Sequence, residues 1–531
     1  MFGFGNTFPW KSGWTGPTIE VGNSKLSLYI DITPSWNRHN RSRSSTTTTT
    51  ANYIRDIHGD ADSRSHNWDY TTMLKWRPTK KDYFIYSFQG YDSHIRSFSN
   101  FTGTHENLEA RAVMNYSSQA KTDRKSHVYT HTLYYKHDFS RSLTLDGSGR
   151  YTYNRNRQYA TESQTLSDYT FDTWQDLTTK RHAWNQELNL SWRINGNISL
   201  DIGNATDYST NNIRQMDNGS SYEFKGLNEY GYVSLAMNFS GLSTVISSGV
   251  DYMHLNSAGV KNDYTRPNAS IDLSYEKGIS TTSLSYMLTN SQPTIAYLNP
   301  FNTSTDSLEY VSGNPKLVPE RTHSLRFGQN IYYKGLNLNA EVCYNYAKDG
   351  IMDASYYRDG VHYATYDNSG HFHFFSFQGS ASYHYQRFSV GTTARYGVFD
   401  YEGQKKKKYF FLSAFANWYW KSFGINTDIE YMNKSHSLYT ESRFHRPYQS
   451  NLVVAYNVNP NLILILGWRN IYGKLKYESD YNVSGYHSFT KFKNTDSQVF
   501  FTVRWTFRKN SKDKIDIDES KIKQHEKGVS L

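Results

Sequence analysis

Long runs of alternating side chains constrain this chain more than anything else in its sequence. Residues 336–346 read LNLNAEVCYNY. Leu336, Leu338, Ala340, Val342, Tyr344 and Tyr346 take the even positions, and Asn337, Asn339, Glu341, Cys343 and Asn345 the odd ones. Successive side chains of an extended chain point to opposite faces, so this period of two gives one apolar and one polar face. The pattern recurs in 143–153, in 184–194 and in 499–507, where Val499, Phe501, Val503, Trp505 and Phe507 share a face. A helical period is hard to find. The alternating segments run for about 10–14 residues, beyond the ~5–6 of soluble strands and enough for the ~9–11 that cross a bilayer at a tilt.

Alternation also suits a soluble sandwich, so the connections decide. One class is tight: 77–82, 139–141, Asn195-Gly196, Ser240-Gly241, Lys277-Gly278, Lys334-Gly335, Gln386-Arg387, Lys421-Ser422 and 459–461. Dipeptides such as Asn-Gly favour two-residue hairpins. The other class is mostly long: roughly 37–66, 93–126, 156–181, 208–226, 256–266, 290–321, 348–371, 400–407, 435–445 and 473–496. The classes alternate, which puts every long connection at one end of the sheet. Short periplasmic turns and long extracellular loops are the pattern of an outer-membrane barrel. The expectation is an all-β, transmembrane antiparallel β-barrel with about 20 strands over residues 24–508. Residues 1–23 are read as an N-terminal remnant or partial strand, and 509–531 as a charged periplasmic tail. Closure leaves no strand edge unpaired in lipid.

Composition fits this reading. Mean hydropathy is −0.75, which alone suggests a solvated chain. Yet 46 Tyr, 29 Phe and 12 Trp make 16% of the residues aromatic, as interleaved polar and apolar positions require. The single cysteine, Cys343, rules out an intrachain disulfide and any cysteine-built metal centre. No run of 18 apolar residues occurs, which excludes membrane-spanning helices. The net charge of +10 suits solubility as well as a phosphate-rich lipid surface.

Residues 313–328 read GNPKLVPERTHSLRFG. Gly313, Asn314, Pro315, Leu317, Pro319 and Glu320 resemble the "GNP-x-L-x-PE" segment inside the barrels of TonB-dependent outer-membrane receptors. The preceding PTIAYLNPF, 293–301, resembles the segment that commonly comes before it, and NWDYTTMLKW, 67–76, looks like the same family's wall. The resemblance implies a 22-stranded barrel in the cell outer membrane, an N-terminal plug, and energy-coupled uptake of a scarce solute such as a metal chelate or glycan. It implies as partners outer-membrane lipid and lipopolysaccharide, the barrel-assembly machinery, a surface lipoprotein, and the TonB complex if a plug and its box lie upstream. No nucleic acid is expected. No plug, box or signal peptide is recognisable in the sequence, so a truncated chain or mis-assigned start is expected, with a plugless passive channel as the alternative. An outer-membrane enzyme or adhesin is the third reading. Terminal-strand aromatics, Trp505 and Phe507, match the family's last strand, although a charged tail follows them.

Few residues invite a chemical role. Pro319 lacks the N–H of a central ladder and must precede pairing. His371 and His373 share one face, but no third ligand is evident, and solvated histidines are the favoured reading. Lys405–Lys408 is read as a solvated loop that could touch lipopolysaccharide phosphates. Thr46–Thr50 is read as a low-complexity loop, and Cys343 as incidental. No nucleophile elbow, phosphate loop or paired metal motif is found, so no catalytic, cofactor or metal residue and no cofactor is expected.

Overall fold

The computed structural model describes residues 2–506 apart from 9–10, 218, 359, 402–405, 437–442, 472–475, 484 and 495–496. The strands are β1 (Phe2–Phe8), β2 (Ser12–Gly22), β3 (Leu26–Thr50), β4 (Tyr53–Trp76), β5 (Asp82–Asn107), β6 (Ala112–Asp138), β7 (Leu143–Leu166), β8 (Tyr169–Arg193), β9 (Ile198–Gln215) and β10 (Ser220–Phe239). They continue as β11 (Leu242–Ser257), β12 (Val260–Lys277), β13 (Ser280–Ser291), β14 (Glu309–Val311), β15 (Glu320–Tyr333), β16 (Leu336–Lys348), β17 (Ile351–Arg358), β18 (Val361–Asn368) and β19 (His371–Tyr385). The last are β20 (Phe388–Tyr401), β21 (Lys407–Trp420), β22 (Phe423–His436), β23 (Arg443–Asn459), β24 (Leu462–Arg469), β25 (Lys476–Val483), β26 (Tyr486–Asn494) and β27 (Gln498–Trp505). One helical turn, α1 (Ile295–Leu298), lies between β13 and β14.

Twenty-two of these strands form a closed antiparallel ring. β27 pairs with β24 on one side and with β1 on the other, Phe2 standing opposite Trp505. The strand count therefore exceeds the 20 expected from alternation, and the two further strands are β1 and β2. Glycine hid them. Gly3, Gly5, Gly13 and Gly16 break the hydropathy rhythm of FGFGNTF and SGWTG. Their packing explains them: a Cβ on Gly3 or Gly5 would run into the Trp14 ring, which lies across β1 on the lumen side.

The outer face of the wall is apolar and bounded by rings. Trp68 and Trp76 on β4, and Trp184 and Trp192 on β8, are large exposed side chains on that face. Eight residues separate each pair, about 20 Å of height after a tilt of ~40° and a rise of ~3.3 Å, which suits an apolar band between two interfacial girdles. The inner face carries polar side chains bonded to one another, such as Arg150 to Asn185, Tyr232 to Asn189 and Asn451 to Asp428. Leu325, Phe327 and Tyr333 of β15 face outward as their parity requires, and β15 begins at Glu320, one residue after Pro319.

Strand lengths are unequal around the ring. β3 to β8 have 24–27 residues, far more than a bilayer needs. The stretches 37–66, 93–126 and 156–181, expected as loops, are mostly ladder that ends in tight turns near 51–52, 108–111 and 167–168. Above the membrane the outer face meets water and the inner face a polar lumen or the cap, so hydropathy no longer alternates although pairing continues. The threonine run shows this. Thr46–Thr50 is strand, not loop: Thr46 bonds Thr490 at 3.0 Å, and Thr48 and Thr50 are buried on the inner face. β-Branched residues suit such a ladder. On the opposite side, β13, β15 and β16 have only 12–14 residues, and the connections that flank them fold inward.

A cap inside the extracellular mouth

Two connections, 292–319 and 349–370, fold into the mouth of the barrel. Their strands form a separate three-stranded sheet in which β14 runs parallel to β18, and β18 antiparallel to β17. Among the described residues, every other strand belongs to the wall or extends it. The cap is held by a buried apolar cluster. Ile295, Leu298, Leu317 and Ile351 from the cap pack with Leu177, Ile213, Tyr222, Phe224 and Leu255 from the inner faces of β8 to β11. Leu317 is 1% exposed, and burying a leucine this fully contributes about 1.5–3 kcal/mol. A second cluster seats Met352 of β17 against Phe372, Phe399 and Tyr401 of β19 and β20.

The receptor-like motif is the frame of this cap. The Gly313 and Asn314 N–H groups donate to the Asn299 and Tyr297 carbonyls at 2.5 and 2.6 Å. PTIAYLNPF and GNPKLVPE thus close on each other as one unit. Gly313 is needed because a Cβ there would strike the Tyr297 carbonyl and the Asn299 backbone. The Asn314 side chain donates to the Tyr366 carbonyl at 2.9 Å and accepts from the Lys316 N–H at 3.0 Å. Asn368 binds the Val318 N–H and carbonyl at 2.8 and 3.1 Å, tying the two connections together. Pro315 sits in the turn between Asn314 and Lys316. Arg266 of β12 donates to the Pro319 carbonyl at 2.9 Å, and Glu320 is buried at the start of β15.

The far edge of the cap docks on the tall side of the ring. Arg55 Nη2 of β4 lies 2.6 Å from Asp306 Oδ2, and both side chains are largely buried. Thr305 donates to Glu162, and Ser307 to Gln164, at 2.6 and 2.7 Å. Gln175 donates to the Asn302 carbonyl at 2.6 Å. Beside them the His362 ring stacks on Tyr486 of β26 at 3.9 Å, and its Nδ1 is 3.7 Å from Glu309. The cap therefore spans from the β13–β16 side to β4, β7 and β8, across the mouth. β26 pairs with β3 and β25 with β23, so this hairpin completes the rim above the shorter wall.

Ionisation follows from burial. Burial opposes the charge on Asp306, but the Arg55 guanidinium and its hydrogen bond outweigh it and hold the carboxyl below its ordinary range. Asp353 on β17 is paired with no cation among the described residues, and burial pushes it up to about 6. Burial likewise pushes the Tyr486 hydroxyl up to about 12, with the nearby Glu309 adding to it.

The other sequence candidates lie elsewhere. His371 and His373 are on the outer face of β19, sharing hydrogen bonds with the hydroxyls of Tyr346 and Tyr344 at 3.3 and 2.7 Å. Among the described residues no group of three His, Cys, Asp or Glu is arranged to hold a metal. The lysine run is split rather than one solvated loop. Lys405 and Phe507, like the tail 509–531, lie outside the described residues. Lys406 pairs with Asp400 at 2.9 Å, and Lys407 turns inward over the Tyr401 ring at the start of β21. Cys343 is buried on the inner face, its thiol 3.7 Å from Asn345 Oδ1. Trp505 stands on the outer face of the closing strand. Arg55 and Asp306 were not legible in advance: they are 251 residues apart, and no spacing connects them.

Residues 77–505 match the outer membrane protein beta-barrel family, and the chain belongs to it. It resides in the cell outer membrane. Among solved structures it resembles the copper transporter OprC at 12% identity, with a TM-score of 0.68 over 94% of this chain and 82% of that one. It also resembles Pseudomonas aeruginosa FpvA, solved bound to heterologous pyoverdines, at 10% identity and a TM-score of 0.65, covering 95% of this chain and 71% of that one. The FrpB iron transporter from Neisseria meningitidis gives 10% identity and a TM-score of 0.64, covering 95% and 82%. At these identities the likeness is one of fold. No curated protein matches the sequence.

Proposed function

We propose that this barrel is the wall of an outer-membrane uptake receptor of the TonB-dependent kind, whose mouth is governed by its own cap. The observation that carries the reading is the cap itself. A passive channel gains nothing from a folded, apolar-cored unit tied by a buried ion pair to the far wall. A receptor that admits a scarce solute needs a mouth that closes when empty and reorganises on binding. The neighbours in fold include transporters of copper and iron, which favours transport over catalysis. The solute class is a metal chelate, a glycan or a similar scarce compound. Energy coupling would enter through a plug and TonB-binding box joined to this barrel. The barrel-assembly machinery and a surface lipoprotein are the further partners of this reading.

Planar-bilayer conductance tests it. The chain is compared with a variant in which 293–318 and 350–369 are replaced by short Gly-Ser turns. The capless barrel is expected to conduct several-fold more than the intact chain. Equal conductance would leave the cap without a gating role and favour a passive channel.

A further inference from the structure

The cap is charged against the rest of the chain. Its two connections, 292–319 and 349–370, hold six carboxylates and two Lys or Arg side chains, in a chain whose net charge is +10. An acidic mouth on a basic chain draws cations toward it. Two of the carboxylates have cationic neighbours: Asp306 meets Arg55, and Asp349 lies 3.9 Å from Arg266. The Asp353 side chain has neither an ion pair nor a hydrogen bond among the described residues, and burial alone sets its ionisation.

Tyrosine rings flank this carboxylate. Asp353 stands directly opposite Tyr366 in the β17–β18 ladder, so the two side chains share a face. The Tyr366 ring packs on Tyr297 of α1, with centroids 4.5 Å apart. From the rim, the β25–β26 hairpin adds Tyr481 and Tyr486, whose rings meet edge to face at 5.9 Å. Tyr481 pairs with Ser488, two residues beyond Tyr486, which puts both rings on the same inner face. Burial raises the hydroxyls of Tyr297, Tyr366 and Tyr481, and the Asp353 charge adds to each, so it acts on rings from both sides. All five residues are half-buried, which leaves the carboxylate within reach of a solute.

A carboxylate drawn out of water without a partner is costly to ionise. A cation relieves that cost, and the faces of aromatic rings attract cations as well. A metal ion would need several hard donors, and among the described residues no group of three His, Cys, Asp or Glu is arranged for one. A primary ammonium carries three N–H donors and seeks as many acceptors, where the rings offer π-faces. An ammonium whose hydrogens are replaced by alkyl groups suits the rings better: its carbons pack on them while its charge faces the carboxylate. We infer that Asp353, with Tyr297, Tyr366, Tyr481 and Tyr486, forms an aromatic cage for an alkylated ammonium group of a solute entering the mouth. Its place in transport rests on the uptake reading proposed above; the binding itself does not.

Isothermal titration of choline into the full chain tests this, in a maltoside detergent at neutral pH and fixed ionic strength. Only the heat-modifiable, barrel-formed fraction is assayed. Wild type is expected to bind choline at least about tenfold more tightly than Asp353→Asn does. Dimethylbutanol, the uncharged carbon isostere of choline, should bind wild type at least about tenfold more weakly than choline. Tyr481→Leu should weaken choline binding several-fold, and Tyr481→Phe, which keeps the ring, should retain it. Wild type without saturable choline binding overturns the inference. So does equal binding by wild type and Asp353→Asn, or equal binding of choline and dimethylbutanol. Should Asp353→Asn yield no folded fraction, the contrast between Tyr481→Leu and Tyr481→Phe decides, and equal affinities there overturn the cage. A capless variant that conducts no better than the intact chain would remove the uptake reading and leave these affinities unchanged, so the two failures are told apart.

Discussion

The two sides of the ring differ in what they do with their extra residues. β3 to β8 spend them on height: strands of 24–27 residues that pair to their tips. β13, β15 and β16 stop after 12–14 residues and send the chain inward as a cap. The tall side is a fixed dock, with Arg55, Glu162, Gln164 and Gln175 presented by rigid ladder. The short side is a folded insert whose own core is small. The difference teaches that the long strands need not be explained by the membrane. They carry the inner wall up to where the cap must land.

Breaking the contact between the two sides should have the largest effect. Arg55→Met leaves Asp306 buried without its cation, a loss of about 3–5 kcal/mol. Hydrogen exchange in 300–312 should accelerate strongly while β3 to β8 stay protected. Uniform acceleration would mean that dock and cap unfold together. Next comes the core of the cap. Leu317→Ala removes a fully buried side chain and should weaken the cap by about 2–4 kcal/mol, read as faster proteolysis within 292–319 with the barrel still heat-modifiable. Unchanged proteolysis would show that the polar dock alone holds the cap.

The two partly buried carboxylates sharpen the comparison because their ionisation is shifted in opposite directions. Asp306 is held low by Arg55, so its stabilisation is fully present above the unfolded carboxylate range near 3.9 and is lost as pH falls through the lowered value. Asp353 is raised to about 6, so the cap is most stable below about 4 on its account and loses stability as pH rises to about 6. Asp353→Asn should therefore strengthen the cap at pH 7 by at most about 3 kcal/mol and flatten its exchange profile between pH 4 and 6. A profile unchanged by the substitution would remove Asp353 as the cause. The smallest effect belongs to the tips of the tall side. A short epitope inserted between Ser167 and Asp168, in an exposed tight turn, should change stability by less than about 0.5 kcal/mol. A larger loss would show that the tip braces the dock.

Much of this architecture was legible beforehand because lipid enforces it. Wherever the outer face meets acyl chains, as in LNLNAEVCYNY, the period of two is written in hydropathy, and the alternation of connections gives orientation. Two kinds of region escaped. β1 and β2 were hidden because glycines make room for Trp14, and a missing side chain leaves no hydropathy signal. The upper halves of β3 to β8 were hidden because water on one face and a polar lumen or cap on the other ask for the same residues. The motif at 313–320 stood out by resemblance, yet its role as the frame of a cap, closed on Tyr297 and Asn299, could not be read from the string.

The sequence by itself determined a closed transmembrane barrel, since only that solution satisfies alternating strands with no apolar helix in a bilayer. It also kept Pro319 outside the β15 ladder, to which it cannot donate, although the strand begins at Glu320 and takes in the last two residues of the expected 290–321 connection. Tertiary structure decided the rest: that the ring has 22 strands, that two connections turn inward, and that Arg55 meets Asp306 across the mouth. Those outcomes depend on which residues meet at long range, and the long-range pairing of polar groups has no local period to betray it.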